Sequence, residues 1–211
     1  QGRKAVKYCS ICGNYTVEDP CPICADERRH NGVICVVRDP RDVAAMERMR
    51  DFKGCYHVLH GTGSFELEAP TVEEMKRRFH HIAERHSPYI VAVREDKPSV
   101  VLGYAYAGPF RERKAYDTTV EDSIYVAQAA RDLGVGSALL AELINRCRDL
   151  GYKQMVSVIG DSENKPSIGL HTKLGFSMIG TMHNCGIKFG RPLDCVFMEL
   201  TLNPFEKDAA K

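Results

Sequence analysis

Apolar residues along this chain recur in two rhythms, one of about three to four positions and one of two. The first rhythm marks helices. Val43, Met46 and Met49 follow a start signal in which Asp39 can cap, Pro40 takes the first helical position and Asp42 favours the positive end. Thr71 and Glu74 form a capping box that opens a second helix, whose apolar face is Met75, Phe79 and Ile82. Over 134–150, Leu139, Leu140, Leu143, Ile144, Cys147 and Leu150 share one side, and Gly151 ends the pattern. A further helix is expected from near Pro166 to a stop at Gly175. The second rhythm marks β-rich runs at 33–37, 89–93, 99–107, 119–126, 154–159, 176–182 and 194–202, with Glu95-Asp96-Lys97-Pro98 as a hairpin turn. The order of these elements predicts an α/β fold with mixed strand directions.

Composition narrows the class. The chain has 211 residues, 44% of them hydrophobic, enough for one ordinary domain with an appendage or two small ones. No apolar run approaches the roughly 18–20 residues of a membrane span, and no signal peptide opens the chain, so a cytoplasmic protein is expected. Lys and Arg (29) balance Asp and Glu (28), which gives no cationic excess of the kind nucleic-acid binding needs.

Nine cysteines are the unusual feature. Cys9, Cys12, Cys21 and Cys24 form two CxxC pairs with eight residues between them. Two thiolates on one knuckle turn can meet a single ion, and two knuckles complete a closed tetrahedral shell suited to structural zinc. Gly13 supports the first turn, and Pro20 and Pro22 stiffen the second. The alternative is a pair of disulfides. Cys35, Cys55, Cys147, Cys185 and Cys195 are scattered and read as packing residues.

Between the strand 119–126 and the helix 134–150 lies Arg131-Asp132-Leu133-Gly134-Val135-Gly136. A strand, a glycine turn and a helix N-terminus can together hold a pyrophosphate through backbone N–H groups and the helix dipole. The stretch lacks the third glycine of a dinucleotide fingerprint and the Gly-Lys-Ser/Thr of a nucleoside triphosphate loop. Taken alone, it is equally a plain tight turn. In context, Arg-x-x-Gly-x-Gly resembles the acetyl-CoA loop of the GNAT superfamily of N-acetyltransferases. The segments 103–110 (GYAYAGPF), 115–126 (AYDTTVEDSIYV), 158–164 (VIGDSEN), 170–176 (LHTKLGF) and 186–194 (GIKFGRPLD) resemble its phosphinothricin N-acetyltransferase group, with 61–68 (GTGSFELE) matching the loop before the group's second helix.

That resemblance covers about 61–202 and implies a mixed central sheet flanked by helices. It also implies direct acetyl transfer from acetyl-CoA to the amine of a small amino acid such as phosphinothricin or methionine sulfoximine. It makes Glu121 the general base and His171 the second catalytic position. Backbone groups of Arg131, Leu133, Gly134, Val135, Gly136 and Ser137 would hold the pyrophosphate. Tyr125 and Val126 would pair with the pantetheine, and Asn164 would add a contact. Phe65, Arg113 and Tyr116 match the substrate side, with Lys188 and Arg191 as secondary cations. Dimers are common in the group, so a homodimer is an expectation. The chemistry agrees with the base assignment, because only a neutral amine attacks a thioester and a carboxylate can take its proton.

A second resemblance covers residues 3–60. Segments 7–14 (KYCSICGN), 19–24 (DPCPIC), 33–43 (VICVVRDPRDV) and 56–59 (YHVL) are similar to the recombination mediator RecR, in which a four-cysteine zinc module leads into a Toprim domain. The remainder of a Toprim domain is missing, and Arg38 stands where its motif is usually acidic. Residues 33–51 supply a strand and helix in the order that an acetyltransferase needs at its start. The expected organisation is therefore a zinc module over 1–32, an acetyltransferase domain over 33–204 and a tail over 205–211. Nucleic-acid binding inherited from RecR, or a folded chimera of little activity, are the alternatives. Residues 1–30 hold five Lys/Arg against four Asp/Glu, which speaks against the first.

Overall fold

The computed structural model describes residues 5–31, 33–37, 40–49, 52–58, 71–96, 100–127, 130–188 and 190–205. At the front, β1 (Lys7–Tyr8) pairs antiparallel with β2 (Tyr15–Thr16), and α1 (Pro22–Ala25) follows with proline at its first turn. Next come β3 (Ile34–Val37), α2 (Pro40–Met49) and β4 (Cys55–Val58). Sequence reading places the 33–37 strand at the start of the acetyltransferase sheet. The structure instead pairs β3 with β4 in a two-stranded parallel sheet, Ile34 opposite Cys55 through Val37 opposite Val58. The short run 55–58 provides a complete ladder close in sequence, so the crossover β3-α2-β4 closes on itself. Its small core is Cys35, Val37, Val43, Tyr56 and Val58.

The main sheet has six strands in the order β5-β6-β7-β8-β10-β9. These are β5 (Tyr89–Val93), β6 (Val101–Pro109), β7 (Thr119–Val126), β8 (Gln154–Gly160), β9 (Ser177–Lys188) and β10 (Arg191–Thr201). Only the central pair β7–β8 is parallel. The last two strands form a longer hairpin than the pattern predicts, because Ser177–Lys188 is exposed on much of its length and carries little apolar rhythm.

Three helices complete the domain: α3 (Val72–Glu84), α4 (Val135–Asp149) and α5 (Lys165–Lys173). The predicted stripe Leu139, Leu140, Leu143, Ile144 and Cys147 is buried in a core with Ala105, Ala107, Val120, Met155, Ile159, Val196 and Met198. The two alanines let α4 lie close on β6, and burying the stripe contributes roughly 1.5–3 kcal/mol for each large side chain. Leu150, expected on this stripe, is exposed past the helix end, where Gly151 adopts φ +83° and its N–H donates to the Arg148 carbonyl (2.9 Å).

The cap of α3 forms in part. Thr71 Oγ1 accepts from the Glu74 N–H at 3.1 Å, but the Glu74 carboxylate turns to Arg77 and Arg78 (2.7 Å each), which compete for it more strongly than one backbone amide. Ile82 is buried as expected, whereas Phe79 is exposed and meets Tyr89 edge-on (centroids 5.2 Å apart). Among the described residues no helix is long and apolar enough to cross a membrane.

Candidate active site

The ladder between β7 and β8 stops short. Its rungs are Thr119–Gln154, Val120–Met155, Glu121–Val156 and Asp122–Ser157, yet β7 runs on to Val126 and β8 to Gly160. Among the described residues, positions 123–126 pair only with β6. The two strands therefore part after Asp122, and the end of β7 leads by Arg131–Gly134 to the N-terminus of α4. Tyr125 and Val126 lie beyond the last rung to β8, on the stretch that pairs with β6.

The turn before α4 departs from ordinary backbone at Asp132 (φ +62°) and Gly134 (φ +79°). Gly134 is the N-cap and supplies no side-chain cap, so the first amides of the helix, on Val135, Gly136 and Ser137, point outward as donors. Arg131, Leu133 and Gly134 are exposed. A Cβ on Gly136 would lie 3.4 Å from Leu170 Cδ2 and 3.5 Å from Val126 Cγ2, in ordinary contact, so the helix start sits between β7 and α5. The glycine turn before α4 thus lies at the mouth of the fork.

Glu121 lies half-buried on β7 opposite Gly108, on the strand face away from α4, because successive residues alternate and Val120, Ile124 and Val126 face the core. Burial first, and then the charge of Asp122, raise its pKa above the usual carboxylate range, while Arg111 pulls it down. Arg111 also stacks over Phe110 (4.7 Å), and Tyr116 meets Phe110 edge-on at 5.8 Å. The sequence reading favours Arg113. The structure leaves Arg113 exposed at the start of the turn Lys114–Tyr116, and Arg111 is the arginine whose charge reaches Glu121. Its signal in the sequence is its place at the end of β6, directly across the turn from β7. Tyr116 remains on the same loop, and Phe65 lies outside the described residues. Of the secondary cations, Lys188 is buried (3% exposed) and Arg191 pairs with Asp161.

His171 is placed differently from expectation. It is 1% exposed on the α5 side of the sheet, not on the Glu121 face. Its Nε2 lies 3.0 Å from Asp122 Oδ2 and 2.9 Å from Ser157 Oγ, and Nδ1 lies 2.7 Å from the Ser167 carbonyl. Burial opposes charge on the ring, but the hydrogen bond and charge of Asp122, with the Ser167 carbonyl, hold its pKa above the ordinary value. Both ring nitrogens are thus engaged within the core. Asn164 likewise serves the fold here, its Oδ1 capping α5 by accepting from the Ser167 N–H at 3.4 Å. Cys35, Cys55, Cys147 and Cys195 are buried as expected, but Cys185 is exposed, because the outer strand β9 has one open face.

The N-terminal cysteines converge. The four Sγ atoms lie within 4.8 Å of one another and are buried, with Cys12 and Cys21 3.7 Å apart. Tetrahedral zinc with sulfur at about 2.3 Å requires sulfurs about 3.8 Å apart, so the cluster fits it. Amides of Asn14 and Cys21 donate to Cys12 and Cys9 Sγ (3.4 and 3.3 Å), as thiolates require. Mutual hydrogen bonding lowers Cys9 and Cys21, the latter to about 7, and raises Cys12 and Cys24, so a cation is needed to ionise all four.

The fork, the amide-lined helix start and the half-buried carboxylate define an acyltransferase of the acetyl-CoA type. The chain belongs to the acetyltransferase (GNAT) family, whose model matches residues 46–176. It is 44% identical over 148 residues to phosphinothricin N-acetyltransferase of Alcaligenes faecalis, covering 70% of this chain and 74% of the relative. It is 46% identical over 116 residues to the L-methionine sulfoximine/L-methionine sulfone acetyltransferase of Pseudomonas aeruginosa, covering 55% and 67%. The crystal structure of a phosphinothricin acetyltransferase from Sinorhizobium meliloti with AcCoA superposes with a TM-score of 0.65 at 40% identity, covering 79% of this chain and 88% of that one. Residues 6–26 match the four-cysteine zinc finger domain of RecR. RecR of Pelotomaculum thermopropionicum is 60% identical over 62 residues, 29% of this chain and 31% of that protein.

Proposed function

We propose that this protein transfers the acetyl group of acetyl-CoA to the α-amine of a small amino acid with a tetrahedral, oxygen-rich side-chain head of the phosphinothricin or methionine sulfoximine kind. The observation that carries this reading is Glu121, a half-buried carboxylate of raised pKa beside the point where β7 and β8 part. A carboxylate of raised basicity takes the proton from the substrate ammonium, directly or through water. The amine nitrogen then attacks the thioester carbonyl carbon, the C–S bond breaks, and CoA leaves as thiolate and takes up the proton that the new amide nitrogen sheds. Backbone groups of Tyr125 and Val126 hold the pantetheine, and the amides from Arg131 to Ser137 hold the pyrophosphate. Arg111, with Arg113 and Tyr116 on the same loop, supplies cationic and hydroxyl partners for the oxygen-rich head. Zinc, held by Cys9, Cys12, Cys21 and Cys24, has a structural part only, since four cysteines leave no open position.

The test is CoA release with acetyl-CoA and a panel of amino acids that includes phosphinothricin, methionine sulfoximine and methionine sulfone. Saturable release with one of these, well above glutamate or methionine, supports the substrate class. Release only with unrelated amines rules it out.

A further inference from the structure

Two neighbours on β7 point to opposite faces. Glu121 faces away from α4, and Asp122 faces the interior, its side chain 1% exposed. Asp122 and Ser157 form the last rung before the strands part, and both side chains converge on Nε2 of His171 from α5. One cluster thus joins β7, β8 and α5 at the vertex of the fork.

Proton counting constrains this cluster. The Ser167 carbonyl can only accept, so Nδ1 carries a proton. A second proton lies between Nε2 and Asp122 Oδ2. The other Asp122 oxygen, Oδ1, is buried with no hydrogen-bond partner among the described residues, an arrangement that costs free energy in any uncompensated form. A neighbouring imidazolium offsets that cost. Cys147 from α4 is the further titratable group at Asp122, and burial followed by the Asp122 charge pushes its thiol up to about 12, so it stays neutral. Phe176 closes the ring edge-on at 4.9 Å.

We propose that Asp122 is a positioning residue of the transfer reaction: paired with a doubly protonated His171, it pins the vertex of the β7–β8 fork and strengthens Glu121 as a base from the opposite face of the strand. The groups that act on Glu121 include Asp122 from its own strand and Arg111 from the loop after β6, and the imidazolium of His171 behind Asp122 offsets part of the Asp122 charge. Asp122 raises the basicity of Glu121 and Arg111 opposes it.

The inference rests on Glu121 as the base, and the experiment separates the two. In nitrogen-15 NMR of the whole wild-type protein at pH 7, His171 should show protons on both ring nitrogens, and Asp122→Asn should lose the one on Nε2. In the pH profile of kcat/KM, Asp122→Asn removes the Asp122 charge together with the proton on His171 Nε2, so the acidic limb of activity should move down by about 0.3 unit, the residual of two opposed screened charges. A purely structural role would lower the rate without moving the limb. A wild-type His171 with a single ring proton, or an Asp122→Asn profile that superposes on wild type, overturns the proposal. The wild-type spectrum needs no variant to fold. Glu121→Gln at full activity would instead defeat the base assignment.

Discussion

Glu121 and His171 are both legible in the sequence as chemistry-bearing residues, and the structure gives them different surroundings. Alternation along one strand accounts for Glu121: its apolar even-numbered neighbours Val120, Ile124 and Val126 face the core, so it lies on the opposite face. Glu121→Gln should lower kcat by about 10²–10⁴-fold with little change in the KM for acetyl-CoA, measured by CoA release. His171 sits on a helix whose apolar rhythm is weak, and nothing in single-sequence spacing says that Asp122 and Ser157 wait behind it. The pair also has a pH signature. The folded pKa of His171 is raised, so its contribution to stability is complete below about pH 6.5 and is lost as pH rises through the folded value. His171→Asn should cost about 3–5 kcal/mol at pH 6, and the difference from wild type should narrow in alkaline buffer, read from denaturant midpoints.

At the scale of elements, the sequence pattern is most informative where packing is one-sided. The strand 119–126 and the helix over 135–149 appear almost at their expected ends, since one face of each is apolar and a glycine marks the boundary. It is least informative at β4, four residues with no clear rhythm, and at β9, whose backbone pairing and not its side chains defines it. That is also why the pairing of β3 with β4 is not visible in the sequence. Two glycines near the fork make separable predictions. A Cβ on Gly103 would sit 2.6 Å from the Tyr125 carbonyl oxygen and 3.0 Å from Leu139, so Gly103→Ala should destabilise by about 1–3 kcal/mol and raise the KM for acetyl-CoA. Gly134 has open space around it but φ +79°, so Gly134→Ala should cost about 1 kcal/mol through backbone strain alone. Equilibrium unfolding with steady-state kinetics distinguishes the two.

On the scale of the whole molecule, two ancestries meet in one chain, and they differ in what holds them together. The catalytic domain has a continuous apolar core, whereas the front module is organised on four sulfurs and a few side chains such as Ile11 and Ile23. The Val58 N–H donates to the Cys12 carbonyl at 2.8 Å and ties the module to β4. Cys24→Ser should therefore drop zinc well below one per chain by metal analysis and lose an early unfolding step, while much of the CoA release survives. The central claim is that residues 71–202 form an amino-acid acetyltransferase in which Glu121 is the base. Its most direct measurement is the rate of CoA release from acetyl-CoA with phosphinothricin, wild type beside Glu121→Gln. The account predicts saturable turnover by the wild type, falling about 10²-fold or more in the variant. Equal rates in the two proteins, or no turnover by folded, zinc-loaded wild type, would contradict it.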